Sequence, residues 1–172
     1  MRKGRRDYVL MPMRIGSAMT EEFMRDGREP VPASEGTSRS MRSNKGRDTR
    51  PEIVLRKALR GAGLSGYRLH WKVPGRPDIA YPGRKVAVFV NGCFWHRCPV
   101  CDLPLPKSNT GFWKAKFEAN AERDLRVTHA LEADGWIVVT VWECEIRRDL
   151  PSAVRCVEDA VASRSPRGSK SY

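Results

Sequence analysis

Apolar positions along the middle of the chain recur first with a helical period, then with extended runs, then with a helical period again, and these switches predict an alternating α/β order. Asp48-Thr49 offers an N-cap, Pro51 suits a first helical turn, and Ile53, Val54, Ala58 and Leu59 form a stripe that stops at Gly61 and Gly63. Three extended runs follow, Tyr67 to Val73, Asp78 to Tyr81 and Lys85 to Val90, punctuated by Pro74-Gly75 and Pro82-Gly83, which read as hairpin turns. The last run is almost wholly apolar, as a buried central strand is. Beyond a loop from Asn91 to Thr110, Phe112 to Ala133 reads as a long amphipathic helix ending at Gly135, Trp136 to Trp142 as a strand, and Pro151 to Ala162 as a short final helix. The predicted order is α-β-β-β-α-β-α, an α/β fold with a mixed sheet flanked by helices.

The two ends break this pattern. Residues 1–36 mix Met, Arg, Glu, Pro, Gly and Ser without a sustained period, so a flexible basic arm is expected ahead of a folded domain at 37–162. Residues 163–172, SRSPRGSKSY, carry no apolar anchor and are expected to form a disordered basic tail. The first residues begin basic like a signal peptide, yet lack a continuous apolar stretch and place Arg14 where one would lie; Met19, Met24 and Met41 offer alternative starts. No apolar run approaches the roughly 18 residues a membrane span needs, so a cytoplasmic protein without a membrane partner is expected. With 40% hydrophobic residues in 172, one buried core is within reach. The formal net charge of +12 favours a polyanionic partner, nucleic acid first, because Lys and Arg that neutralise phosphates release condensed counterions. Charge alone also fits a basic, solvated surface with no ligand.

Four of the five cysteines fall into two groups: Cys93, Cys98 and Cys101 within NGCFWHRCPVC, and Cys144 at the end of VTVWEC. Four thiolates complete a tetrahedral structural zinc site, which would pin a loop poor in apolar surface to a distant strand. Paired disulfides are disfavoured in a reducing cytoplasm, and free buried thiols do not need Cys98 and Cys101 so close together. His96 lies between Cys93 and Cys98 and is an alternative ligand, although four thiolates leave it free for chemistry. Cys156, in the last helix, reads as a small core residue.

In this order, RSNKGRDTRPEIVLRKAL, VPGRPDIAY, VFVNGCFWHRCPVC, FWKAKFEANAERD and GWIVVTVWEC resemble the very-short-patch repair (Vsr) endonucleases, over roughly Ser34 to Ile146. GCFWH followed by cysteines and a distant WEC is the specific part. The resemblance implies a restriction-endonuclease-like α/β fold, a structural zinc, Mg2+ at the active site, and a nick immediately 5′ of the thymine in a T·G mismatch of the kind left by 5-methylcytosine deamination. It further implies work beside a cytosine-5 DNA methyltransferase, with a repair polymerase and ligase finishing the patch; a monomer is expected.

Residue by residue, the resemblance makes Asp78 in GRPD the metal-binding aspartate, with the backbone carbonyl of Val90 as a second ligand. A carboxylate on rigid β-structure suits that task, whereas by residue type alone Asp78 after Pro77 reads more readily as a turn cap. Asn91 stands where the family often carries His or an acid; it can exchange hydrogen bonds and order a water but cannot take up a proton at neutral pH. His96 matches the family's catalytic histidine, and Asp124 in ERD its acidic partner, with a solvated helix face as the bland alternative for Asp124. Glu52 in RPE matches a first-helix carboxylate holding metal-bound waters, a role compatible with stabilising the helix N-terminus. Phe94, Trp95 and Trp113 look like the wedge that enters the duplex beside the mismatch, core packing being the usual fate of such residues. Met41 is similar to an N-terminal intercalator, and Arg39, Arg42, Lys45 and Arg47 would hold phosphates. Competing expectations are a related nuclease with a different lesion or a restriction-type target, and a catalytically idle zinc-clamped DNA-binding module.

Overall fold

The computed structural model describes residues 46–164. The expectations placed on the arm, on Arg39, Met41, Arg42 and Lys45, and on the tail beyond Arg164 lie outside the described residues.

The first helix, α1 (Arg50–Gly61), starts behind Thr49 with Pro51 in its first turn, as the sequence suggests. Glu52 folds back over the helix start, accepting from the Asp48 and Thr49 N–H groups at 3.0 and 3.2 Å and so satisfying backbone donors that a helix start leaves unpaired. Strands β1 (Ile79–Tyr81) and β2 (Val86–Asn91) pair antiparallel through a 3-10 turn at Pro82–Arg84, so this hairpin forms where expected. The long helix α2 (Thr110–Ala133) then carries the chain over to β3 (Ile137–Trp142), which pairs parallel to β2 from Val86↔Ile137 to Asn91↔Trp142. The result is a mixed three-stranded sheet in the order β1-β2-β3.

Two expectations are corrected. Tyr67–Val73 is not a strand: it touches the sheet only through the Arg68–Ala80 bridge, and Pro74-Gly75 therefore joins no hairpin. The reason is local, since His70 adopts a left-handed backbone (φ 47°) that breaks the extended run, and Leu69 and Trp71 remain exposed. At the other end, two helices replace the single one expected: α3 (Glu143–Arg148) follows β3 directly and α4 (Leu150–Ala162) comes after it, separated by Asp149, whose carboxylate caps Ser152 N–H at 3.0 Å. Ser163 and Arg164, assigned to the tail, still close α4, the Arg164 carbonyl receiving the Arg84 guanidinium.

β2 divides the interior by its alternation. Val86 and Val88 face a core with Leu55, Leu59, Ile146 and Val157, against α1, α3 and α4. Ala87 faces the opposite side, where Ala80, Leu131 and Trp136 pack with Phe89 and Val127. The paired small residues Ala80 and Ala87 let α2 lie close to the sheet. Gly75 belongs to the same layer: at φ 72°, a Cβ there would meet Val127 Cγ1 at 2.4 Å, so the loop before β1 passes under α2 only as glycine.

The amphipathic reading of α2 holds only at its ends, where Trp113, Phe117 and Leu131 are buried; Leu125 in the middle is 43% exposed. Its middle does not rest on the sheet but overhangs a groove, and that is where the polar positions Asn120, Asp124 and Thr128, four residues apart, become useful.

Candidate active site

An open groove of about 1210 Å³ runs between the start of α1, the loop before β1, the end of β2 and the middle of α2. It gathers Glu52, Asp78, Val90, Asn91, His96 and Asp124, residues separated by more than half the described chain. Trp95 and Arg47 also line it.

Asp78 stands one residue ahead of β1, so the antiparallel register carries it to the far end of β2, where its Oδ2 accepts the Val90 N–H at 2.7 Å. Its other oxygen has no hydrogen bond among the described residues and the side chain faces the groove. Burial, reinforced by the neighbouring Glu52 charge, lifts its carboxyl to about 6 against the opposing Val90 hydrogen bond. Two carboxylates in one groove, one raised in this way, form a donor set suited to a hard divalent cation.

Glu52 is only 3% exposed. Its Oε2 receives Asp48 N–H and Arg56 Nη2 (3.0 and 2.6 Å), and its Oε1 receives Thr49 N–H and Thr49 Oγ1 (3.2 and 2.7 Å). Arg56 also grips Asp48. Both oxygens of Glu52 are therefore committed to protein donors, which makes it a fixed negative charge beside Asp78 rather than a free holder of waters.

His96 and Asp124 meet as the sequence suggests, Nδ1 to Oδ2 at 2.5 Å. Burial alone would raise the Asp124 carboxyl, but the hydrogen bond and charge of His96, followed by those of Arg123, hold it below its ordinary range. An ionised carboxylate can only accept, so Nδ1 carries a proton, and in the neutral ring it is Nε2 that holds the free lone pair. The loop that carries His96 is fastened at both sides: Asn120 Nδ2 donates to the Trp95 carbonyl at 3.0 Å, and His96 N–H donates to the Gly92 carbonyl at 3.2 Å.

Phe94, Trp95 and Trp113 form one cluster together with Phe117, with ring centroids 5.1–5.8 Å apart; Phe94 meets the other three rings edge-to-face, and Trp113 is tilted against Trp95 and Phe117. Trp113 is buried, while Phe94 and Trp95 are half-buried.

Cys93, Cys98, Cys101 and Cys144 form a separate cluster, their sulfurs all within 4.8 Å of one another and none of them paired in a disulfide. Cys144 sits in the first turn of α3, two residues past the end of β3, so the fourth thiol comes from a helix start that the sheet holds in place. Burial pushes the Cys93 thiol up to about 11 and the Cys144 thiol higher still, a cost that a bound cation would offset. The cluster can hold a metal ion. The fifth cysteine, Cys156, is exposed on α4 rather than packed in the core, which corrects the reading from sequence.

Residues 32–101 match the family model described as DNA mismatch endonuclease Vsr. The chain is 45% identical over 107 residues to the type II nicking enzyme V.XorIIP of Xanthomonas oryzae, covering 62% of this chain and 78% of that protein. It is 41% identical over 133 residues to the type II nicking enzyme V.NaeI of Lentzea aerocolonigenes, covering 74% and 80%. With the DNA mismatch endonuclease Vsr of Escherichia coli it shares 38% identity over 110 residues, covering 64% and 70%. The chain belongs to the Vsr DNA mismatch endonuclease family. It is accordingly a DNA endonuclease, a hydrolase of DNA mismatch repair. No helix among the described residues is long and apolar enough to cross a membrane.

Sequence reasoning missed Asp48 and His70 in this Vsr-family groove, and Arg56 behind it. Arg56 carried a weak signal, four residues beyond Glu52 on α1 and so on the same helix face. The helix-cap reading of Asp48 gave no sign that its side chain engages Arg56, and His70 lay in a segment taken for a strand.

Proposed function

We propose that this endonuclease nicks one strand of duplex DNA immediately 5′ of the thymine in a T·G mismatch left by 5-methylcytosine deamination, and so starts very-short-patch repair. The observation that carries the reading is the convergence of Asp78, Glu52 and the His96–Asp124 pair on one groove in a chain of this family.

Asp78, through its free oxygen, and the Val90 carbonyl would hold Mg2+, with the fixed Glu52 charge favouring a cation there. When bound, the metal supplies charge neutralisation at the scissile phosphate. His96 Nε2 takes the proton of the attacking water as the water oxygen bonds to phosphorus, and Asp124 stabilises the imidazolium that results. The bond from phosphorus to the 3′-oxygen breaks, leaving 3′-hydroxyl and 5′-phosphate ends. Asn91, on the rim of the groove, orders a water without moving a proton.

The four thiols suit a structural zinc. A tetrahedron built on Zn–S bonds of about 2.3 Å has edges of about 3.8 Å, and Cys98 Sγ lies 3.7 Å from Cys144 Sγ. Zinc takes no part in hydrolysis and rigidifies the loop that presents His96, Phe94 and Trp95. The half-buried Phe94 and Trp95, backed by Trp113, serve as the wedge at the mismatch, where a wobble pair lowers the cost of unstacking. Arg47, exposed beside the groove, holds a phosphate. The mixed sheet with its catalytic aspartate at a strand head fits a restriction-endonuclease-like fold. The enzyme works on cytoplasmic DNA as a monomer, following a cytosine-5 methyltransferase and handing its nick to a repair polymerase and ligase.

A second reading, a nuclease for another lesion or a restriction-type target, is favoured by Asn91 and by relatives named type II nicking enzymes. Strand-specific nicking of labelled duplexes separates the two. A Mg2+-dependent nick 5′ of the mispaired thymine, lost in Asp78→Ala and His96→Ala, is the expected result. Equal cutting of perfectly paired DNA would favour the second reading, and binding without cleavage would favour an idle module.

A further inference from the structure

Of the three histidines in the chain, two line the groove, and the mechanism above uses only His96. His70 projects from the loop between α1 and β1, with its side chain 23% exposed and its Nε2 4.0 Å from Asp48 Oδ1. Neither ring nitrogen of His70 makes a hydrogen bond of normal length among the described residues, so Nδ1 is unengaged there. Asp48 is held in place by the Arg56 guanidinium, which is itself buried and anchored on Glu52. The result is a second imidazole–carboxylate pair on the α1 side of the groove, whereas His96 and Asp124 come from the zinc-type loop and α2.

Both members of the pair occupy left-handed backbone, His70 at φ 47° and Asp48 at φ 54°. Each such residue costs on the order of 1 kcal/mol or more and persists where the surroundings demand it, commonly at functional sites. The Asp48 carboxyl lies below its ordinary range, chiefly through the Arg56 hydrogen bond, with the Arg56, His70 and Arg47 charges adding to this against the effect of burial. The carboxylates that interact with His70 are Asp48 and Asp78, and the groove around them is lined by Glu52 on the acidic side and by Arg47, Arg50, Lys57 and Arg76 on the basic side.

Resting on the hydrolytic reading above, we propose that His70 is the general acid of the reaction. As the bond from phosphorus to the 3′-oxygen breaks, the imidazolium keeps Nε2–H toward Asp48 and gives its Nδ1 proton to the departing oxygen. His96 meanwhile takes one proton from the attacking water. One proton is donated and one accepted in each turnover, and solvent exchange resets both rings. The division of labour also leaves no task for a proton carrier at Asn91: a groove with two imidazoles needs no third one there.

The test uses the full-length, zinc-loaded protein and two T·G duplexes that differ only in the bridging 3′ atom at the scissile bond, oxygen or sulfur. A thiolate leaves without protonation, so loss of a general acid harms only the oxygen substrate. His70→Asn is the variant of choice because Asn tolerates left-handed backbone. The expected result is a fall of about 100-fold or more in single-turnover nicking of the oxygen substrate, the low end of general-acid effects, with the sulfur substrate within about threefold of the parent. Asp48→Asn should show the same pattern more weakly, while His96→Gln should lose both substrates alike. Equal losses on the two substrates for His70→Asn, or no loss on either, would overturn the proposal. If the parent cuts neither T·G duplex, it is the mismatch reading that fails, and the same two bridging atoms are then placed in whichever duplex the parent does cut.

Discussion

Replacing Asp78 by Asn is expected to abolish nicking and, in the absence of divalent cation, to make the protein more stable at neutral pH. Burial is the main cause of the raised Asp78 carboxyl, with Glu52 adding to it and the Val90 hydrogen bond, His70 and Arg56 opposing; the net change is from 3.8 to about 6. A raised carboxyl means that the folded state prefers the neutral form. Its contribution to stability is therefore fully present below the unfolded value near 3.8 and is lost as pH rises through about 6. At about 1.4 kcal/mol per tenfold change, the loss above pH 7 is ~3 kcal/mol at most, and solvent in the open groove reduces it to roughly 1–3 kcal/mol. Asn has the same shape and its carbonyl oxygen can still accept the Val90 N–H, so little is lost in exchange. The same two values leave about half of the gap at pH 5. Urea unfolding of zinc-loaded, Mg2+-free protein at pH 5 and pH 7.5 reads this directly: with a slope near the ~3 kcal/mol/M upper end that a chain of this size calls for, the variant's midpoint should lie roughly 0.3–1 M higher at pH 7.5. Added Mg2+ should raise the midpoint of the parent alone. A variant less stable than the parent at pH 7.5, or a gap that stays constant between the two pH values, would refute the reasoning.

Three further outcomes follow from the same geometry. Arg56→Met leaves the buried Glu52 charge uncompensated and should cost about 3–5 kcal/mol in chemical unfolding; adding Glu52→Gln should recover part of this, whereas additivity within about 0.5 kcal/mol would show the two residues to be uncoupled. Asp124→Asn should lower single-turnover nicking by on the order of 100-fold or more with little change in DNA affinity, because it removes the group that fixes the His96 proton on Nδ1; a loss confined to DNA affinity would contradict that role. Cys98→Ser should take zinc, measured by elemental analysis, from about one per chain to well below it, and expose the His96 loop to protease while the sheet survives; retention of a full equivalent of zinc would rule out the four-thiol site.

Much of the architecture was legible because it is written in local periodicity. The helical stripe from Ile53 to Leu59, the apolar run that became β2 and the hairpin at Pro82-Gly83 all depend on neighbours a few residues away. The failures have equally local causes. A single left-handed residue, His70, turned an extended run into a loop; α3 spans only six residues, too short for a helical period to register; and α2 looked uniformly amphipathic because a sequence does not say where a long helix leaves its support. Cys156 was misjudged because residue type alone cannot choose which face of α4 it occupies.

By itself, then, the sequence determined the α/β class, the grouping of four cysteines and the short motifs around Asp78, His96 and Asp124, since these rest on residue type and close spacing. Tertiary structure decided what those residues do to one another. Only the antiparallel β1–β2 register sets Asp78 on the Val90 N–H. Only the passage of α2 over the groove sets Asp124 on His96, 28 residues away. The saturation of Glu52 by Arg56 and the approach of His70 to Asp48 belong to the same category. Each is a contact between side chains whose separation is fixed by packing, and burial in that packing is what alters their charges.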